Sequence, residues 1–268
     1  MQSDIVSSMA PPRRWLSAAD RVRRAAVGTW REGGPRALAR AAAEALYWRF
    51  NPDVRRWRAE LPAQEESDRA FDRRFHVDTA GELSLEEVGI RGAEIERGHG
   101  RYRPVWSSVF HQALAALPIE FERFTFVDYG SGKGKALLLA SDYRFAEIVG
   151  IEFARPLHDI ASRNLSAYSS PAQRCRKLSS QCLDAAQFIP PERPLVCFFF
   201  NPFDDATMRT VLGALAESAR RAPREIFLVY CNMRDVREHA HVFDESPQLE
   251  RLESRSRFLV YRMRSPLR

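Results

Sequence analysis

Lysine is nearly missing from this chain: only three of its 41 basic residues are lysines, at positions 133, 135 and 177. The four cysteines form no C-x-x-C pair, and His239 and His241 have no cluster of further ligand-type residues at suitable spacing, so we predict no metal site. No apolar run is long enough to span a bilayer, and the N-terminus has no signal-peptide pattern. These absences predict a protein of the reducing cytoplasm without a membrane span.

Positive charge is concentrated at the start of the sequence. Residues 1–58 contain 12 arginines and five acidic residues, a net charge of +7, whereas the whole chain carries +6. Residues 35–50 have the apolar spacing of a helix, so we expect this arm to pack through its apolar side. The alternative is a basic helix that binds nucleic acid or an acidic membrane surface.

The composition also indicates the domain organisation. With 268 residues, the chain is long enough for one domain with a sizeable core and an attachment. The polar and acidic stretch 61–67 is typical of a linker or a loop. We therefore predict an Arg-rich helical extension over residues 1–70 and a main domain over residues 71–268.

The most informative segment is residues 124–140, which has the pattern of a buried strand, a glycine-rich loop and an apolar helix. Glycines in such a loop let the backbone approach a ligand closely. A phosphate-binding P-loop needs four residues between its first glycine and the Gly-Lys pair, followed by Ser or Thr. Here Gly130 and Gly134 enclose three residues, and Ala136 has no hydroxyl. A dinucleotide fingerprint is also excluded, because its third glycine would come one residue later.

Two carboxylates accompany the glycine-rich loop. The motif is Asp-x-Gly-x-Gly-x-Gly beginning at Asp128, at the end of the first strand. The next predicted strand, residues 146–152, ends on Glu152, where a carboxylate can accept both hydroxyls of a ribose. Acidic side chains at these two positions suit a cation and a ribose better than a pyrophosphate.

Downstream, the sequence continues as an open α/β sheet with alternating strands and helices. Further strands are predicted at residues 176–182, 194–200, 225–232, 249–253 and 258–262. Asp184 follows the first of these strands, and Asn201-Pro202-Phe203 follows the second. Ligands of open α/β sheets bind at such carboxyl ends, so both positions are candidates for the site.

These motifs identify a resemblance. Residues 71–262 resemble bacterial class I S-adenosylmethionine (SAM) methyltransferases, with Val-Asp-Tyr-Gly-Ser-Gly-Lys-Gly-Lys as motif I and Asn-Pro-Phe as motif IV. More distantly, the Tyr-x-Pro loop at Tyr102 resembles that of the non-SET protein-lysine methyltransferases. The resemblance implies a Rossmann-like α/β fold with SAM as cofactor. Its sheet would have seven mostly parallel strands, an antiparallel C-terminal strand and helices on both faces. The chain departs from the pattern at His76, where a glycine is expected.

The resemblance also implies roles for individual residues. The methionine part of SAM would contact the residues of motif I, namely Asp128, Gly130, Ser131, Gly132 and Gly134. Glu152 would bind the ribose and Asp184 the adenine. Tyr102 would cover the methionine end, with Asp78 and Thr79 contributing to the same lid. The transfer site would be formed by Asn201, Pro202 and Phe203.

Three hypotheses about function follow. The first is methyl transfer from SAM to a nitrogen of a protein lysine or a small molecule, with the Asn201 side chain accepting hydrogen bonds from the target amine. The second is a nucleic-acid methyltransferase that uses the basic arm to bind phosphates. The third is a catalytically silent SAM-fold binding module, since the fold by itself does not select the acceptor.

Overall fold

A computed structural model describes residues 49–92 and 100–264, together with the single positions 34, 35, 39, 42 and 46. Its helices in these ranges are α1 (Pro52–Phe75), α2 (Ser107–Ala115), α3 (Lys135–Ala140), α4 (Arg155–Ala167), α5 (Asp205–Arg221) and α6 (Ala240–Asp244). Its strands are β1 (Leu83–Ser84), β2 (Arg101–Tyr102), β3 (Thr125–Tyr129), β4 (Glu147–Glu152), β5 (Leu178–Cys182), β6 (Leu195–Phe200), β7 (Ile226–Cys231), β8 (Leu249–Ser254) and β9 (Phe258–Met263).

The main sheet has the strand order β5-β4-β3-β6-β7-β9-β8. Neighbouring strands are parallel from β5 to β7, whereas β9 runs antiparallel to both β7 and β8. The predicted class I methyltransferase fold is therefore confirmed. Chain order reverses between β3 and β6, and in open α/β sheets such a switch point leaves a crevice at the carboxyl ends of the strands.

Alternation along the strands divides the core between the two faces of the sheet, because successive side chains of a strand point to opposite faces. Tyr129 and Phe199 belong to one apolar cluster, while Phe126 and Phe198 belong to the other. Strand β6 is buried along almost its whole length, as expected for a central strand covered on both faces.

The predicted linker over residues 61–67 is wrong, because helix α1 runs through it without interruption. The polar residues lie on its solvent-exposed side, where Arg69 pairs with Glu66 at 3.2 Å and Arg73 pairs with Glu66 at 2.7 Å. Pairs at helical spacing stabilise an exposed helical face. The polar and acidic composition of this stretch is therefore that of an exposed helical face and not of a linker.

Internal contacts group the chain into Met1–Arg55 and Arg56–Arg268, and the site described below belongs to the second unit. The predicted arm helix over residues 35–50 lies largely outside the described residues, as does most of the basic segment 1–58. The predicted boundary between residues 70 and 71 stays a prediction. None of the described helices has the length and apolar character needed to cross a membrane.

Candidate functional site

A cavity of about 1050 Å³ opens at the carboxyl ends of the central strands. Eight of the eleven residues predicted to form the site border it, namely Tyr102, Gly130, Gly132, Glu152, Asp184, Asn201, Pro202 and Phe203. The other three, Asp128, Ser131 and Gly134, are not among its lining residues. The sequence prediction therefore identified one connected region that draws on the ends of β3, β4, β5 and β6.

The glycine-rich loop fits closely between two neighbours. Gly130 has a φ of 81°, and a Cβ atom at this position would lie 2.5 Å from the Cβ of Pro202. Gly132 has a φ of 53°, and a Cβ atom there would lie 2.4 Å from the ring of Tyr102. Only glycine adopts such backbone angles without steric cost. Gly132 was expected to leave room for the cofactor, but in this structure it makes room for the Tyr102 ring.

The remaining two small residues of the loop face the protein interior. The Oγ atom of Ser131 is buried and would lie 2.7 Å from a Cβ atom on Gly150. A Cβ atom on Gly134 would lie 3.3 Å from the Cβ of Ala161 in α4. Ser131 and Gly134 therefore pack the loop against the sheet and α4, in addition to any role toward a ligand.

Glu152 is positioned by the loop that it faces. Its Oε2 atom accepts a hydrogen bond from the backbone N–H of Gly132 at 2.8 Å, and its Oε1 atom accepts one from Ala154 at 2.8 Å. Burial raises the pKa of Glu152 to about 7, although the backbone hydrogen bonds from Ala154 and Gly132 act in the opposite direction. Each carboxylate oxygen has a second lone pair, so the side chain can still accept hydrogen bonds from the cavity.

Asp128 stands beside Glu152 at the end of the neighbouring strand. Its side chain is buried. This burial, and to a smaller extent the nearby charge of Glu152, raises the pKa of Asp128 well above its ordinary range. Two carboxyl groups in one desolvated region favour the approach of a cation or of hydrogen-bond donors, because either would stabilise the ionised forms.

Tyr102 lies over the loop and is held by the segment before β1. Its hydroxyl donates to the carbonyl of Thr79 at 2.6 Å, and the Nζ atom of Lys133 lies 5.5 Å from the centre of its ring. Lys133 also donates to Asp78 at 2.7 Å and to the carbonyl of Ala80 at 3.0 Å. Of the residues predicted as a lid, Asp78 is thus bonded to the glycine-rich loop through Lys133, and Tyr102 contacts the loop through its ring.

The segment before β1 also contains His76, where the resemblance predicts a glycine. This residue has a φ of 56°, in the left-handed region that favours glycine, so the glycine expected from the resemblance has a conformational reason. Asn164 of α4 then fixes the chain after the turn. It accepts from the N–H of Asp78 and donates to the carbonyls of Asp78 and Lys133, each at 2.8 Å.

Asn201, Pro202 and Phe203 form the opposite side of the site, after β6. Asn201 has a φ of 43°, a conformation that Asn tolerates better than most residues. Its Oδ1 atom accepts a hydrogen bond from the Tyr230 hydroxyl at 2.9 Å. Asp184 follows β5 and accepts from the N–H of Ala186 at 2.9 Å, which starts a short 3₁₀ turn beside the cavity.

Sequence analysis missed the wall that α1 contributes. Six of its residues border the cavity, and four of these, Trp57, Leu61, Gln64 and Asp68, follow one another at helical spacing. Their spacing of four, three and four residues was a usable signal. Asp68 forms a buried ion pair with Lys135 at the start of α3, and Gln64 donates to Asp68 at 2.8 Å. This ion pair joins the helix to the glycine-rich loop.

No family model matches the sequence, and no curated protein matches it. Solved structures resemble it in fold. Magnesium protoporphyrin IX methyltransferase from Synechocystis PCC 6803, with bound SAM, is 16% identical over 58% of this chain and 76% of that chain, with a TM-score of 0.38. Human N-acetylserotonin methyltransferase, in complex with SAM, is 13% identical over 60% of this chain and 53% of that chain, with a TM-score of 0.43. The 23S rRNA methyltransferase ErmE is 14% identical over 59% of this chain and 67% of that chain, with a TM-score of 0.39.

Proposed function

We propose that this protein is a SAM-dependent methyltransferase. The observation that carries the proposal is Glu152, a buried carboxylate at the end of β4 that borders the cavity and is hydrogen-bonded to the glycine-rich loop. In this arrangement Glu152 would bind the ribose, Asp184 the adenine, and the loop with Tyr102 the methionine part.

The charges around the loop support SAM over a nucleotide phosphate. Lys133 and Lys135 flank the last glycine of the motif, yet neither borders the cavity, and each is paired with a carboxylate, Asp78 and Asp68 respectively. A phosphate site needs free positive charge or helix N–H groups aimed at the ligand. The buried acids Asp128 and Glu152 instead match a ligand that carries a cationic centre and a ribose.

When bound, SAM supplies a methyl group on a positively charged sulfur. The residues of this chain would hold the acceptor in line with that methyl group, and alignment of reacting atoms is a major source of acceleration in such reactions. Asn201 follows β6, which is separated from the Glu152 strand β4 by β3 in the sheet. It is our candidate for the residue that orients the acceptor, with Pro202 and Phe203 shaping the wall beside it.

The identity of the acceptor remains open within this proposal. The sequence favours a nitrogen of a protein lysine or of a small molecule. The nucleic-acid alternative depends on the basic arm, which lies largely outside the described residues, and no observation in the described part of the chain favours it over the first. Cytoplasmic location also stays a prediction.

The cofactor proposal can be tested by calorimetry. We expect SAM and S-adenosylhomocysteine (SAH) to bind, and Glu152→Ala to weaken binding by about 1.5–3 kcal/mol, the range for hydrogen bonds to a charged group. Glu147→Ala is a matched control, because Glu147 begins the same strand and pairs with Lys177 at 3.2 Å away from the cavity lining. Absence of SAM and SAH binding to folded wild-type protein would refute the proposal.

A second measurement separates chemistry from cofactor binding. Transfer of label from SAM into protein, RNA and small-molecule fractions of a lysate identifies the acceptor class. In that assay Asn201→Ala should lower turnover much more than it lowers SAM affinity, because Asn201 is assigned to the acceptor. Equal losses in turnover and affinity would instead place Asn201 in contact with the cofactor.

A further inference from the structure

A chain of hydrogen bonds runs along the carboxyl ends of β6 and β7 and ends at Asn201. Tyr230 donates to Asn201 at 2.9 Å, the Nδ2 atom of Asn232 lies 3.5 Å from the Tyr230 hydroxyl, and the same Nδ2 atom donates to Glu238 at 3.0 Å. We name these four residues the Asn201 chain. Asn201, Asn232 and Glu238 border the cavity, while Tyr230 is fully buried behind them.

The direction of the Asn201 chain is fixed at Asn232. The Oδ1 atom of Asn232 accepts two backbone N–H groups, from Arg234 at 3.0 Å and from Asp235 at 3.3 Å. Backbone N–H groups can only donate, so the amide of Asn232 cannot be reversed without placing donors against donors. Its Nδ2 group therefore faces Glu238 and Tyr230, and it offers the Tyr230 hydroxyl a donor and no acceptor.

Of its two neighbours in the Asn201 chain, the Tyr230 hydroxyl can donate a hydrogen bond only to Asn201. Burial raises the pKa of Tyr230, so the phenol stays protonated, and its ring is held 5.0 Å from that of Phe243. Because Asn232 presents only N–H groups, the hydroxyl hydrogen must be accepted by the Oδ1 atom of Asn201. The reversed amide of Asn201 would leave a buried O–H without an acceptor, which is more costly than the loss of an average hydrogen bond.

The consequence concerns the part of Asn201 that faces the cavity. Its Oδ1 atom accepts from Tyr230 and keeps a second lone pair, whereas its Nδ2 group forms no hydrogen bond within the described part of the chain. We propose that Asn201 recognises the methyl acceptor as a hydrogen-bond donor, through its Nδ2 group. This inference rests on the proposed function and changes the role of Asn201, which the sequence had predicted to accept hydrogen bonds from an amine.

A donor at this position selects the chemistry of the substrate. The atom beside Asn201 must carry a free lone pair, as do the oxygens of carbonyl, carboxylate and hydroxyl groups. The N–H groups of a lysine side chain would meet another donor. Six aromatic residues border the same cavity, namely Trp57, Tyr102, Trp106, Phe153, Phe200 and Phe203. The structure therefore favours a planar, oxygen-bearing small molecule over a protein lysine.

Neighbouring cations at the cavity already have acidic partners. Arg234 donates to Glu238 at 2.5 Å, and Arg103 pairs with Glu82 while its guanidinium lies 5.4 Å from the centre of the Trp57 ring. Arginine side chains paired in this way attract an anionic substrate less strongly than free ones. Among oxygen-bearing molecules, an uncharged one such as a phenol is thus the closest match, since its hydroxyl proton can leave to solvent as the oxygen takes the methyl group and SAM becomes SAH.

The test compares two uncharged aromatic probes of similar size by ligand-observed NMR. Acetophenone offers only a lone pair, and aniline offers N–H groups. We expect wild-type protein loaded with SAH to bind acetophenone more tightly than aniline. Asn201→Asp should lower the affinity for acetophenone about tenfold and reverse this preference, since a carboxylate can only accept. Asp also tolerates the left-handed backbone at this position, so this variant should fold.

Tyr230 is a positioning residue in this scheme, and it provides a second variant. Tyr230→Phe frees the Asn201 amide to turn, so the preference for acetophenone over aniline should shrink. Tyr261→Phe is the matched control: its ring also packs on Phe243, at 5.2 Å, but its hydroxyl donates to Asp244 at 2.8 Å. This control should keep the wild-type preference.

The possible outcomes separate this inference from the cofactor proposal. Preference of the wild-type protein for aniline, no binding of acetophenone, or an Asn201→Asp variant that keeps its acetophenone affinity would each overturn the donor role. Failure of SAH to bind would refute the cofactor proposal instead. The probe comparison, repeated without SAH, would still report on Asn201.

Discussion

Glu152 gives the sharpest prediction, because its pKa lies close to neutral pH. Burial raises this pKa to about 7, and the carboxylate is proposed to accept hydrogen bonds from the ribose hydroxyls. The ionised form is the better acceptor, so ligand binding should favour it and lower the pKa. Affinity for SAH should therefore rise as the pH increases through 7.

The size of the effect follows from the ionised fraction. With a pKa of about 7, about one protein molecule in eleven is ionised at Glu152 at pH 6, and about ten in eleven are ionised at pH 8. If the complex is ionised throughout this range, affinity should increase about tenfold from pH 6 to pH 8, equivalent to about 1.4 kcal/mol. None of the described residues that border the cavity is a histidine. The pKa of the neighbouring Asp128 is also raised by burial and by Glu152, so a substitution at Glu152 is needed to assign the change to it.

The stability of the free protein should move in the opposite direction. The folded pKa is raised above the unfolded value of 4.5, so the contribution of Glu152 to stability is fully present below pH 4.5 and is lost as the pH rises through about 7. The corresponding change is about 3 kcal/mol. Denaturant unfolding without ligand measures this trend, while SAH calorimetry measures the opposite trend in affinity.

Two substitutions decide whether Glu152 is the cause. Glu152→Gln does not titrate and should show an SAH affinity that is nearly independent of pH between 6 and 8. Glu147→Gln, at the other end of β4, should behave as the wild type. A flat wild-type profile, or the wild-type slope retained in Glu152→Gln, would refute the reasoning. As a further probe, 5′-methylthioadenosine has the ribose and adenine but no amino or carboxyl group, and it should show the same slope.

Two further substitutions test the contacts around the glycine-rich loop by urea unfolding. Gly132→Ala should destabilise the protein by more than the roughly 1–3 kcal/mol of backbone strain, because its Cβ atom would lie 2.4 Å from the Tyr102 ring. Adding Tyr102→Ala should remove the destabilisation beyond backbone strain. If the effects of the two substitutions on the free energy of unfolding simply add, the new Cβ atom does not clash with the Tyr102 ring. Lys135→Met should cost about 3–5 kcal/mol, since it leaves the buried Asp68 carboxyl without its cation. Asp68→Asn in the same chain should restore most of the loss, and a negligible effect of Lys135→Met alone would argue against the ion pair.

Much of the fold was predictable because its information is local in sequence. The strand that precedes the glycine-rich loop and the apolar run that forms β6 were both recognised, with boundaries that differ from the observed ones by at most one residue. Buried parallel strands have nearly continuous apolar sequences that end abruptly. The number and direction of the strands in the sheet were predicted through the resemblance, since pairing between distant strands leaves no comparable local signal.

The contacts of individual site residues were much less predictable. The segment 61–67 was mistaken for a linker because its exposed side is polar, although Trp57, Leu61 and Gln64 carry a helical pattern on the other side. The proposed cofactor contact of Gly132 stays a prediction, but its contact with Tyr102, 30 positions earlier in the chain, could not be predicted from the sequence. Which end of the Asn201 amide faces Tyr230 depends on two backbone N–H groups that orient Asn232. Only the three-dimensional structure supplies this detail.

The two lysines of the loop explain how a motif similar to a phosphate-binding one can suit another ligand. Lys133 is paired with Asp78, 55 residues earlier in the chain, and Lys135 with Asp68, 67 residues earlier. Both side chains are buried, so their charges bind the segment before the sheet to the loop. Glu152 borders the cavity and Asp128 lies buried beside it, and the proposed cationic ligand would stabilise the ionised form of both carboxyl groups. The segment that supplies the partners of the lysines therefore supports our proposal of a SAM site over a phosphate site.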